Sequence, residues 1–266
     1  MRVSLIAMAA LVLAGPATAQ LASPNAAGVT FAHVHLNVVD IELHKRLWVD
    51  HFDGVVVEKG PLTTIKFPNF FLILTEREAT GPSQGTVTDH FGFKVRDLDA
   101  IHEAWRAAGY EVQGEFTGAE GFRNSYLLAP DGVRFELQED ASQSEKAVGY
   151  HVHFWTTEFR ELWEWYADVF SAVPRQRGRI ETTADVPGMN LSFATCRAEC
   201  GPTRGRAIDH IGFEVDDLDA FAQMLEARGI ELEFAPRYIE SIALKIAFFT
   251  DPSGVRVELT EGLDEY

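Results

Sequence analysis

The chain has 266 residues, of which 46% are hydrophobic and 24% charged, the balance of a protein with a buried core. Its formal charge of −17 repels phosphate backbones and anionic lipid, which argues against nucleic acid and membrane surfaces as partners. The length admits one large domain or two of ordinary size, and the acidity leaves small-molecule ligands open.

Residues 1–19 have the three parts of an export signal. Arg2 supplies the positive charge, Val3 to Leu13 is almost wholly apolar, and Ala17-Thr18-Ala19 follows the helix-breaking Gly15 and Pro16. The apolar run is shorter than the roughly 20 residues a membrane span needs. Cleavage before Gln20 is expected, leaving a short N-terminal segment at 20–30 and a periplasmic or secreted protein with no membrane attachment.

The first element after that is a strand, His33-Val34-His35-Leu36-Asn37-Val38-Val39-Asp40, in which apolar and polar residues alternate. Asp40 caps a helix over Ile41 to Phe52. Strand-like segments follow within Thr64 to Thr75. A second strand starts at His90 and ends at Asp97, which caps a helix carrying Ile101, Ala104, Trp105 and Ala108 at helical spacing; Gly109 stops it. Arg123 to Leu128 and Val133 to Gln138 read as further strands. The order then repeats, with a strand from His151, a helix over Phe159 to Phe170, a strand from His210, a helix after Asp217 stopped by Gly229, and a strand over Lys245 to Thr250. His44, His51 and His102 fall on helices, where solvent exposure is the default. Cys196 and Cys200 are spaced for a local loop, closed by a disulfide in an oxidising compartment or left as free thiols.

Self-comparison explains the recurrence. Asp89 to Ala100 and Asp209 to Ala220 agree at nine of twelve positions. Gly81-Pro82-Ser83-Gln84-Gly85 recurs as Gly201-Pro202-Thr203-Arg204-Gly205, and Pro130-Asp131-Gly132-Val133-Arg134-Phe135-Glu136-Leu137 as Pro252-Ser253-Gly254-Val255-Arg256-Val257-Glu258-Leu259. His33-Val34-His35 recurs as His151-Val152-His153. Two homologous domains are therefore expected, at 31–139 and 149–262, with a linker at 140–148. Each domain divides again into two β-α-β-β-β modules.

The histidine-strand-Asp-Leu-Asp openings and the Pro-x-Gly-x-x-x-Glu-Leu closings resemble the vicinal-oxygen-chelate superfamily, which includes glyoxalase I, fosfomycin-resistance proteins, bleomycin-binding proteins and extradiol dioxygenases. The resemblance implies an α+β fold of tandem domains, four βαβββ modules paired into two curved-sheet cups. With the two modules of each half paired, it implies one metal set of His33, His90 and Glu136 and a second of His151, His210 and Glu258. Two imidazoles and a carboxylate on one side of an ion leave open positions, an arrangement that suits Fe2+ and is also accepted by Mn2+, Zn2+ or Ni2+. Tyr126 and His35 are the implied acid-base or hydrogen-bonding residues. A fourth family ligand falls at Ile73 in the first half and at Ser192 or Phe193 in the second, and the missing carboxylate argues against glyoxalase I. Phe248 stands where the first half has Tyr126. The implied function is a divalent-metal-dependent enzyme on a small oxygen-chelating substrate, dioxygenase-like first, with a glyoxalase-like lyase or isomerase and a non-catalytic small-molecule binder as the alternatives. Internal duplication makes a monomer as natural as a homodimer.

Overall fold

The computed structural model describes residues 21–197 and 200–266, so the expected export signal at 1–19 lies outside the described residues. The first module is β1 (Val29–Val38), α1 (Ile41–Phe52), β2 (Val55–Lys59), β3 (Leu62–Lys66) and β4 (Phe71–Glu76). The second is β5 (Thr88–Val95), α2 (Leu98–Ala107), β6 (Glu111–Thr117), β7 (Arg123–Ala129) and β8 (Val133–Glu139). The third is β9 (Ala147–Thr156), α3 (Phe159–Phe170), β10 (Val173–Pro174), β11 (Thr183–Val186) and β12 (Met189–Thr195). The fourth is β13 (Ile208–Val215), α4 (Leu218–Ala227), β14 (Arg237–Ile239), β15 (Leu244–Thr250) and β16 (Arg256–Glu261).

Three of the four helices begin on an aspartate that lies two residues beyond the preceding strand. The side chains of Asp40, Asp97 and Asp217 accept from the backbone N–H of Leu43, Ala100 and Ala220 at 2.8–2.9 Å, satisfying a donor that the helix cannot. Within every module the first strand pairs in parallel with the last. The helix is therefore the crossover that parallel pairing demands.

The modules join into two eight-stranded sheets, and they do so across the halves. The first sheet runs β14-β15-β16-β13-β1-β4-β3-β2 and combines the first and fourth modules; the second runs β10-β11-β12-β9-β5-β8-β7-β6 and combines the second and third. The expected pairing of neighbours within each half is corrected here. The cause is local: residues 140–146 cross the end of β5, where Asp140 N–H donates to Val95 (2.8 Å) and Arg96 N–H to Lys146 (3.4 Å). The chain then lays β9 antiparallel on the edge of β5 that β8 leaves free. Seven residues easily step over one strand, a distance of about 10 Å. With both edges of β5 taken, β1 pairs with β13 instead. The expected linker at 140–148 is correspondingly shorter, because β9 begins at Ala147.

Consecutive modules still touch, through their helices. Trp48 of α1 packs on Phe91, Phe93 and Phe135 of the second sheet, and Tyr166 of α3 packs on Phe154, Phe193 and Phe213. The apolar faces of both sheets and their helices share one core. His44 and His102 belong to that buried layer, not to solvent. His44 Nε2 lies 3.1 Å from Asp131, and His102 Nε2 lies 2.8 Å from the Ser125 hydroxyl. Each has a polar partner waiting on the neighbouring strand or turn, which makes burial tolerable.

Candidate metal centre

Strand periodicity sends His33, His35 and Asn37 to one face of β1 while Val34, Leu36 and Val38 enter the core. On the antiparallel neighbour β13, His210 lies across from His35. Glu258 of β16 sits beside Gly212. His33, His35, His210 and Glu258 thus converge, each offering a ligand atom within 4.8 Å of the others. In the second sheet His90, Glu136, His151 and His153 do the same.

The structure therefore redistributes the residues expected at one site. His33 lies with His210 and Glu258, and His90 with Glu136 and His151; neither half holds a set of its own. Tyr126 and His35 are also separated. Tyr126 stands over His90 at 5.1 Å between ring centres in the second cup, and His35 stacks on His210 at 4.2 Å in the first. Ile73 and Ser192 occupy the fourth positions, paired with His35 and His153, while Phe193 turns into the core. Each cup thus has one carboxylate, with an extra histidine beside the place where a second would stand.

In the first cup the Glu258 carboxylate lies 3.1 Å from His33 Nε2 and 3.0 Å from His210 Nε2. His210 Nδ1 bonds Asp209 at 2.6 Å. Asp209 in turn is held by the backbone N–H of Gly205 (2.7 Å), by Asn37 (3.3 Å) and by Arg256 (3.2 Å). Burial alone would lower His210; its hydrogen bonds to Asp209 and Glu258 more than reverse that and raise it. Burial pushes His33 down, and it pushes His35 well down with help from the His210 charge. Burial would raise Glu258, but the His210 and His33 hydrogen bonds hold it far below the carboxylate range. Metal binding needs an anionic carboxylate and neutral imidazoles, so an ion entering here displaces the proton that His210 holds against Glu258.

The second cup repeats the pattern. Glu136 lies 3.1 Å from His90 Nε2 and 3.6 Å from His151 Nε2, and Asn124 donates to its other oxygen at 2.5 Å. His90 Nδ1 bonds Asp89 at 2.8 Å, which Arg134 holds at 2.6 Å. Burial opposes the ionised form of Asp89, yet His90, Arg134 and the Gly85 N–H bring it down to about 2. Burial, then the Arg177 charge, lowers His151 to about 4. Burial and the nearby Glu136 raise Tyr126, so its hydroxyl stays protonated.

Both donor sets fit a divalent ion on an observation independent of any relative. His153 is buried with neither ring nitrogen hydrogen-bonded, and Nδ1 of His33 and of His35 is likewise unpartnered. Buried imidazoles without partners are costly unless something binds them. The aspartate-imidazole contacts are the usual support for a ligating histidine, because they direct the free lone pair of Nε2 at the ion. Asp89 and Asp209, Arg134 and Arg256, Asn124 and Thr75 went unassigned from sequence. The Asp-His dipeptide and the Gly-Val-Arg segment, each present in both halves, were the signals that could have identified the first four.

A cavity opens at the donors of the first cup. It measures about 170 Å3 and is lined by His35, Thr75, His210, Phe248 and Glu258, among others. Its walls mix apolar side chains such as Ile73, Leu62 and Leu244 with Arg77 and Arg256, the mixture of a small-molecule site.

Two curved sheets built of four βαβββ modules, with histidine and glutamate donors inside each cup, define a tandem chelate-type protein. The family model of the glyoxalase/bleomycin resistance protein/dioxygenase superfamily matches residues 30–137 and 149–259, and the chain belongs to that superfamily. Glyoxalase I from Zea mays is similar in structure, with a TM-score of 0.68 and 18% identity over 89% of this chain and 94% of that one. A putative dioxygenase from Bacillus subtilis superposes with a TM-score of 0.61 and 9% identity over 91% of this chain and 86% of that one. Among curated proteins none matches by sequence.

Proposed function

We propose that the protein is a divalent-metal-dependent enzyme that acts on a small molecule carrying two neighbouring oxygen atoms, and that its working site is the first cup. The observation that supports this most directly is the convergence of four donors within 4.8 Å, three of which, His35, His210 and Glu258, line a cavity. His33, His210 and Glu258 would hold the ion. The ion would polarise the chelated oxygens and stabilise negative charge on them.

The chain's own residues supply the rest. Asp209, clamped by Arg256 and Asn37, fixes the His210 ring. His35 is neutral, with one ring nitrogen on the Thr75 hydroxyl at 2.8 Å and the other unpartnered. It is the residue placed to take or return a substrate proton, and Thr75 sets its orientation. Phe248, Ile73 and Leu244 keep water from the apolar part of the substrate, and Arg77 and Arg256 attract negative charge. In the second cup His90, Glu136 and His151 would be the corresponding ligands, with Tyr126 as the hydroxyl donor.

Dioxygenase chemistry is the first reaction class, because two imidazoles and one carboxylate leave adjacent positions free; Fe2+ is then the first ion to try, followed by Mn2+, Zn2+ and Ni2+. A lyase or isomerase is the second, favoured by Phe248, which leaves the first cup without the tyrosine that the second cup has. Export to an oxidising compartment completes the reading. It is supported by the pattern of residues 1–19 and by the disulfide between Cys196 and Cys200. One chain holds all eight donors, so a monomer suffices.

The test is elemental analysis of protein purified without added metal, followed by oxygen-uptake and product assays on catechols and on 1,2-dicarbonyls. The expected result is stoichiometric metal and metal-dependent turnover of one of these classes, both lost in His210→Ala. Neither metal nor turnover in the folded wild type would end the reading.

A further inference from the structure

The two donor sets look interchangeable until the far side of each ring is compared. In the first cup the Nδ1 atom of His210 faces a carboxylate, and His33 Nδ1 faces no hydrogen-bonding partner. The Nε2 atoms of both rings face Glu258 at 3.1 and 3.0 Å, and no arginine bonds either ring among the described residues. In the second cup His90 is oriented by Asp89 in the same way. His151 is not. Its Nδ1 lies 3.2 Å from a guanidinium nitrogen of Arg177. Arginine only donates, so His151 Nδ1 is the acceptor and its proton sits on Nε2, the atom that points at Glu136.

Arg177 is itself unusual. It is 4% exposed, its Nε is buried without a partner, and no carboxylate lies within 4.0 Å of it among the described residues. The chain places it deliberately. Between β10 and β11 the backbone makes a tight turn, with Arg177 and Ile180 exchanging both hydrogen bonds. Gly178 at the tip, with φ +55°, seats against the Ala119 carbonyl, where a Cβ would be only 2.2 Å from the oxygen. The Tyr150 ring covers the guanidinium at 5.1 Å. The corresponding turn of the first module is the short link between β2 and β3. Its Gly60 seats against the Ser241 carbonyl in the same manner, but Lys59 is drawn away to the Tyr266 ring at 4.3 Å. The first cup therefore receives no cation from that side.

We propose that Arg177 makes the two cups unequal: it holds a buried positive charge against a donor histidine of the second cup, so that a divalent ion is taken by the first cup alone. The inference rests on the metal-centre reading above and adds to it a one-ion stoichiometry and its cause. An incoming ion in the second cup has to displace a buried guanidinium or overcome its repulsion. In the first cup Arg256 is paired with Asp209 and Glu233, and no guanidinium bonds a donor histidine among the described residues.

The experiment is metal titration of the full chain with Mn2+ and Co2+, read by elemental analysis after desalting and by the Co2+ absorption spectrum. Wild type is expected to retain one ion per chain, lost in His210→Ala and kept in His90→Ala. Arg177→Met, which removes the donor while filling similar volume, is expected to tighten the second site by roughly 10–100-fold and bring retention to two ions. Far-UV circular dichroism identifies any variant that fails to fold, and Arg177→Leu then replaces Arg177→Met. Two ions in wild type, or one ion lost in His90→Ala and kept in His210→Ala, would overturn the inference while leaving the metal-centre reading intact. A count of one in folded Arg177→Met would also overturn the role of Arg177. No ion in any protein would overturn both.

Discussion

Gly212 and Gly92 show how little freedom the donors allow. A Cβ at Gly212 would lie 1.9 Å from Cε1 of His33, and one at Gly92 would lie 2.3 Å from Cε1 of His151. Each glycine sits two residues after a donor histidine and makes room for the histidine of the partner module. Gly212→Ala is expected to cost about 1–3 kcal/mol, as overpacking does, and to weaken metal binding by moving His33. Gly114→Ala, with nothing within 4 Å of its Cβ, is the control, expected to stay within about 0.5 kcal/mol of wild type. Thermal melts and metal titration of the two variants check this. The Asp-His-x-Gly-Phe repeat was plain in the sequence. What its aspartate and glycine do was not, because each acts on a residue at least 59 positions away or on a ring whose direction only packing sets.

Among the elements, β13 carries a second buried acid. Glu214 accepts from the backbone N–H of Gly262 and of Leu263 (2.5 and 3.0 Å) and from the Thr260 hydroxyl, which ties down the short turn at Leu263–Glu265. Burial, with the Asp264 charge adding to it, raises its pKa from 4.5 to about 7 against the pull of those donors. A raised folded-state value means that the folded protein holds the proton more tightly than the unfolded chain. The contribution is complete below pH about 4.5 and disappears as pH rises through about 7, a change of about 3 kcal/mol. Denaturant melts between pH 4.5 and 8 should show wild type losing stability over that window relative to Glu214→Gln. Parallel slopes for the two proteins would remove Glu214 as the source. The helices were legible in advance: α1 and α3 cover the residues expected of them, because helical periodicity, joined in α1 by the Asp40 cap, is a local signal. The burial of His44 and His102 was not, since their partners Asp131 and Ser125 lie on other elements.

For the whole molecule, the exchange of modules makes the halves interdependent. Neither cup lies within one half of the chain, and each half alone exposes the edges of two first strands, β1 and β5 or β9 and β13. Unpaired edges with an apolar face promote association. Residues 21–139 and 140–266, produced separately, are expected to aggregate or self-associate and to lack the native metal stoichiometry. Co-expression should return one heterodimer with the circular dichroism and metal content of the intact chain, measured after size-exclusion chromatography. A stable, monomeric 21–139 fragment would contradict the exchanged pairing.

The sequence by itself determined the modules, their strands and helices, the fourfold repetition and the residue types at the donor positions. These follow from alternation, capping and self-similarity, all of which act over a few residues. Only the tertiary structure decided which donors meet. A histidine on a strand specifies a face of a sheet but not the sheet's other half, and that half was chosen by a seven-residue crossing over β5, which set His33 beside His210 and Glu258 and left His90 to His151. The same pairing brought Arg177, anonymous in a loop, against one histidine and not its twin.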